Sequence, residues 1–163
     1  MAWAKNGTPN TLGSAGDDID ITDLTAYKFN LFLAHTFATG GNTRLNYTLD
    51  NTGANDYAYR SSINGGTDST ETSLARFNSN ASTSADDNFE VTYGINIDSE
   101  EKLFIQFHIQ NNGSGATNAP DRTETVAKKD TSTDTGQYTR IDMNNDSTGD
   151  YNTGSNLSAL GTD

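Results

Sequence analysis

Apolar and polar residues alternate with a period of two over most of this chain. Phe89, Val91, Tyr93, Ile95 and Ile97 are interleaved with Glu90, Thr92, Gly94 and Asn96. Leu103, Ile105, Phe107 and Ile109 are interleaved with Phe104, Gln106 and His108. Phe29, Leu31, Leu33, His35 and Phe37 share one set of alternate positions, while Asn30, Phe32, Ala34 and Thr36 take the other. Shorter runs of the same kind fall at Ile19–Thr22 and Leu45–Leu49, with weaker ones at 57–62, 72–77, 122–127, 138–143 and 156–160. Successive strand side chains point to opposite faces, so this period predicts half-buried β-strands. Helical periodicity is nearly absent; residues 69–77 could form a turn of helix, but their Ser and Thr favour extended chain.

The separators carry turn chemistry. Gly40-Gly41-Asn42, Asp50-Asn51-Thr52-Gly53, Asn64-Gly65-Gly66, Asn111-Asn112-Gly113 and the run Asn144 to Gly149 are rich in residues that accept left-handed backbone. About ten strands at such short spacing predict an all-β fold, an antiparallel β-sandwich that is jelly-roll-like. Residues 1–16 read as an extended N-terminal arm with Trp3 near its start, and 17–163 as the sandwich domain. The polar stretches 78–88 and 111–120 read as long loops.

If the mainly apolar positions of the Phe29–Phe37 and Leu103–Ile109 runs face the core, Phe32 and Phe104 lie on the second face. They then need a cover, either a loop or a neighbouring subunit. Trp3 anchors the arm, on its own domain or on an adjacent protomer. Trp3, Phe32 and Phe104 are therefore the candidate interface residues.

Composition narrows the functional classes. The chain has 163 residues, 32% of them hydrophobic. Its mean hydropathy is −0.72. No apolar run approaches the roughly 20 residues of a membrane-spanning helix. Twenty-two acidic residues against 10 basic give a net charge of −12. Nucleic-acid binding is not expected, because a phosphate backbone is held by clustered cations and only Lys128 and Lys129 are adjacent here. There is no cysteine, so no disulfide, thiolate metal site or cysteine nucleophile exists. The first residues lack the basic and apolar segments of a signal peptide, which places synthesis in a cytoplasm and later release at lysis.

No constellation points to catalysis, and no catalytic or cofactor-binding residue is assigned. His35 and His108 lie on strands without a third ligand in the spacing. The segment Asp142 to Asp150 places oxygen side chains at alternate positions, which makes Asp142, Asn144, Asp146 and Asp150 candidate calcium ligands. Ser147 and Thr153 stand where a calcium loop has its turn Gly and closing Glu, so a hairpin turn is the competing reading. Tyr57, Tyr59 and Tyr151, if exposed, could stack on sugar rings. A carbohydrate-binding module, calcium-assisted and active in host recognition, is the alternative function.

Leu12-Gly13-Ser14-Ala15-Gly16-Asp17, the stretch from Leu49-Asp50-Asn51-Thr52-Gly53 to Tyr59-Arg60, Asn64-Gly65-Gly66, Asn118-Ala119-Pro120-Asp121-Arg122 and Gly149-Asp150-Tyr151-Asn152-Thr153-Gly154-Ser155 give the chain a pattern. It resembles small β-sandwich structural proteins of tailed viruses of bacteria and archaea, such as capsid decoration, head-fibre and tail-associated proteins. The resemblance implies a virion component without catalytic residues. It also implies a homo-oligomer, often a trimer, with the major capsid protein or other virion proteins as partners.

Overall fold

The computed structural model describes residues 2–52, 54–84, 87–111, 113, 115–131 and 135–163, with side chains 79–84 left out. Gly53 of the 50–53 turn, Asp86, and Asn112 and Ser114 of the 111–120 loop lie outside the described residues, as does Met1. The strands are β1 (Ala4–Lys5), β2 (Asn10–Thr11), β3 (Asp18–Ile21), β4 (Phe29–Thr39), β5 (Asn42–Leu49), β6 (Tyr57–Ile63) and β7 (Ser69–Leu74). They continue as β8 (Phe77–Ser84), β9 (Asp87–Ile95), β10 (Lys102–Gln110), β11 (Asp121–Lys129), β12 (Ile141–Asn144), β13 (Asp150–Tyr151) and β14 (Asn156–Thr162). No helix occurs among the described residues.

All pairings are antiparallel and fall into two sheets, giving an all-β sandwich. The small sheet has the order β3-β12-β5-β8, and the large sheet runs β1-β14-β4-β9-β10-β11-β6-β7. With the meander β9-β10-β11 taken as one unit, β3, β5, β8 and β12 make the small sheet and β4, β6, β7 and the meander the large one, which is the jelly-roll order. β3 pairs with the last strand of the roll, β12, while β4 pairs with the meander that precedes it. Residues 78–84, expected in a loop, belong to strand β8, because a polar strand at a sheet edge needs no apolar alternation. The expected strand at 72–77 is split: 72–74 end β7, with Ser73 at φ 57°, residues 75–76 make a corner, and Phe77 opens β8.

Residues 2–16 lie along β14 and cover that edge of the large sheet. Ala4 and Lys5 pair with Gly161 and Leu160, and Asn10 and Thr11 with Leu157 and Asn156. The buried Asn6 holds this segment down. Its backbone N–H donates to Ala159 O at 2.9 Å, and its amide donates to Asn30 Oδ1 at 2.7 Å.

The centre of the sandwich is a chain of aromatic rings. Phe77 of β8 stacks on Phe104 of β10 with centroids 4.7 Å apart, bridging the two sheets. Tyr47 and Tyr57 flank Phe77 at 5.5 and 5.7 Å, and Tyr138 links Phe104 to Phe32 at 6.2 and 6.3 Å. Ile19, Ile21, Leu45, Leu49, Ile141 and Met143 of the small sheet close over them. Gly94 lies directly opposite Phe104, and a Cβ there would sit 2.6 Å from the Phe104 ring.

Two outcomes follow from this packing. Phe77→Ala removes the ring shared by both sheets and is expected to cost about 3–5 kcal/mol, with Gly94→Ala costing about 1–3 kcal/mol through overpacking; urea unfolding measures both. Burial pushes the Tyr57 and Tyr59 phenols up to about 12, and raises Tyr47, Tyr138 and Tyr151 as well. A raised phenol stabilises the fold while protonated, so its contribution is complete below the ordinary value of about 10 and is lost as pH rises towards 12. Absorbance titration at alkaline pH should show these five ionising late, and together with loss of the fold.

Candidate interaction face

The two faces of the large sheet are reversed relative to the expectation from sequence. Phe32 and Phe104, read as needing an outer cover, are buried in the aromatic chain between the sheets. The alternate positions carrying most of the apolar residues point outward. Phe29, Leu31, Leu33 and Phe37 on β4 do so, as do Phe89, Val91, Tyr93 and Ile95 on β9 and Leu103, Ile105, Phe107 and Ile109 on β10. The reason is the partner layer. The aromatic stack needs Phe104 inside, and a strand cannot turn one side chain inward without turning its i±2 neighbours with it.

Strand register aligns the outward residues into rows across the sheet. Leu31, Tyr93, Ile105 and Val126 stand side by side, as do Leu33, Val91 and Phe107. His35, Phe89 and Ile109 form a third row, with the His35 ring edge-on to Phe37 at 4.5 Å. Ile105 is 50% and Phe107 48% exposed, values that belong to a sheet face with nothing packed on it. Leu103 and Ile105 form a ridge with an apolar hollow on each side. One, of about 470 Å³, is bounded by Trp3, Phe29, Tyr93 and Ile95; the other, of about 590 Å³, by Ala58, Thr70, Thr72 and Val126. Of the sequence-stated interface residues, Trp3 alone lies at this face, half-exposed at its margin.

Charge is excluded from the centre of the face and neutralised at its border. Asp87, at the end of β9, is the single carboxylate among the described outward positions of β4, β9 and β10. Along β11 and β6 the charges pair locally: Lys128 with Glu101 at 2.7 Å, Arg60 with Asp68 at 3.4 Å and Arg122 with Glu124 at 3.7 Å.

The inward positions of the same strands hold a polar network that the sequence reading missed. Glu90 and His108 are cross-strand partners, both fully enclosed, with His108 Nδ1 3.4 Å from Glu90 Oε2. The Gln106 amide donates to Glu90 Oε1 at 2.9 Å, and the Thr92 hydroxyl donates to the same oxygen at 3.0 Å. His108 Nε2 lies 3.2 Å from Asn88 Oδ1. Burial first, and then the Glu90 carboxylate, push the Tyr47 phenol upward. The available signal was chemical complementarity: Glu90, Thr92, Gln106 and His108 occupy alternate positions on adjacent strands and can satisfy one another.

The other sequence candidates disperse. Asp142 accepts from Arg140 Nε at 2.6 Å within β12's layer, while Asp146 pairs with Arg76 and accepts from Asn46 at 2.9 Å. Asn144 donates to Asp18, and Asp150 is exposed on β13. Among the described residues no group of three or more His, Asp or Glu side chains is placed to hold a metal ion. Tyr57, Tyr59 and Tyr151 are buried in the core, where they cannot stack on a sugar.

No protein family matches the chain, and comparison with curated proteins and with solved structures gives no significant similarity.

Adjacent residues on β10 offer a direct check of the reversed faces. His108→Leu removes the polar group facing the enclosed Glu90 Oε2 and should cost about 1–3 kcal/mol. Phe107→Ser, one residue earlier but outward, should cost about 1 kcal/mol or less in dilute, dispersed protein. Denaturant midpoints of the two variants measure the contrast; similar losses for both would contradict the assigned faces.

Proposed function

We propose that this protein is a structural component of a virus particle, a capsid decoration or surface protein. The observation that carries the reading is the outward apolar face of the large sheet. A monomer working alone in water has no use for such a surface. Isolated exposed apolar side chains are ordinary, but contiguous patches of this extent mark sites of association. The jelly-roll strand order supports the reading by analogy, since capsid and lectin domains share it. The pattern resemblance to small sandwich proteins of tailed viruses agrees with it.

The electrostatics are in keeping with display on a particle. The net charge of −12 keeps the remaining surface soluble and repels anionic cell surfaces and free nucleic acid. Protein on the uncharged face would leave the acidic surface facing solvent. The role asked of the chain is adhesion and display, and the buried His108–Glu90 pair belongs to the core that supports it.

Mass spectrometry of purified virus particles from the source of this sequence is the test. The expected result is the intact chain at stoichiometric abundance, with terminase, portal and major capsid reading frames near its gene. A chain missing from particles and encoded among unrelated metabolic genes would refute the proposal.

A further inference from the structure

We infer that the outward face of the large sheet is occupied by the same face of a second copy, in a two-fold, sheet-on-sheet pair. This deepens the reading above, because it rests on that face being covered in use and names what covers it.

The first argument is the distribution of exposed apolar side chains. Among the described residues, the large ones fall on outward positions of β4, β9, β10 and β11, on the turn after β9 and at Trp3 of the arm, apart from Ile63, which follows Tyr59 and Ser61 on the inward side at the end of β6; none belongs to the small sheet. A ring of three or more copies joins two different patches, head to tail, whereas a two-fold pair uses one patch twice. One apolar face fits the two-fold pair.

The second argument is shape. A patch that meets its own copy must carry both a projection and a matching recess. The Leu103–Ile105 ridge stands between the two apolar hollows, so both features are present within one patch. The ridge of each copy can enter a hollow of the other, with Trp3 closing the outer margin.

Area and charge point the same way. Four strands, spaced about 4.8 Å and running about nine residues at about 3.3 Å each, present on the order of 600 Å². Two copies therefore bury about 1,200 Å², which reaches the range of stable, specific interfaces. Two molecules of charge −12 repel each other generally, and the approach with least local repulsion brings together the surfaces without net charge. The centre of the face comes nearest to that condition: it carries no charge, the ions along β6 and β11 are paired, and Asp87 at the end of β9 and Glu71 beside the larger hollow are left at its margin.

Size-exclusion chromatography with light scattering, over a concentration series, tests the pairing. The wild-type chain should run at twice its mass of 17.5 kDa. Ile105→Asp and Phe107→Asp should each give the single-copy mass, while Thr22→Asp, on an exposed position just beyond β3, should leave the pair intact. Circular dichroism and a cooperative melt for each variant show that the fold is retained. A wild-type monomer at every concentration, a trimer, or a pair that survives both face variants would overturn the inference. A monomer that is nevertheless found in purified particles would refute the self-pairing and leave the particle role standing. A two-fold pair from a chain missing in particles would do the reverse.

Discussion

The contact of Phe77 with Phe104 sets the orientation of everything around it. Phe77 comes from the small sheet and Phe104 from the large one, and their rings stack at 4.7 Å in the space between. Tyr47, Tyr57, Tyr138 and Phe32 extend that contact through the core. Aromatic rings contribute large buried area with defined geometry, so few arrangements satisfy all of them at once. Gly94 shows how tight the fit is, since the Phe104 ring occupies the volume a side chain would need.

Placing Phe104 inside has a consequence for each neighbouring position. Gln106 and His108 must follow it inward, and with them the facing Thr92 and Glu90. These groups are enclosed and partner one another in part: Glu90 Oε1 accepts from Gln106 and Thr92, and Glu90 Oε2 faces His108. Leu103, Ile105, Phe107 and Ile109 must go outward for the same reason. The sandwich thus has polar rows in part of its interior and apolar rows on one exterior. The proposed assembly role and the proposed self-pairing both rest on this inversion.

The rest of the surface is arranged consistently with a single covered face. Acidic residues dominate overall, yet the centre of the large sheet's outward face is free of them and its border carries short, local ion pairs. The arm closes the β14 edge, which otherwise would offer unpaired backbone groups to another strand. The proposed association therefore uses side chains on the sheet face, away from that edge.

The sequence determined that the protein is built of strands, because two-residue alternation is a local property that every apolar run displays. It also located most of the turns, through Gly and Asn at positions such as Asn64, which takes a positive φ of 52°. It did not reveal β8 beyond Phe77, where every residue but Ala81 is polar, nor the cross-sheet meeting of Phe77 and Phe104, which are distant in the chain. Above all, alternation defines two faces without saying which is inner. Counting apolar residues assigns Ile105 and Phe107 to the core; the tertiary structure puts them outside, because one inward aromatic on β10 finds a stacking partner across the sandwich and the strand has to turn as a whole. Trp3 was expected to anchor the arm; it is half-exposed at the margin of the face, Asn6 holds the arm down, and the hollow beside Trp3 exists only once β4, β9, β10 and the arm are brought together.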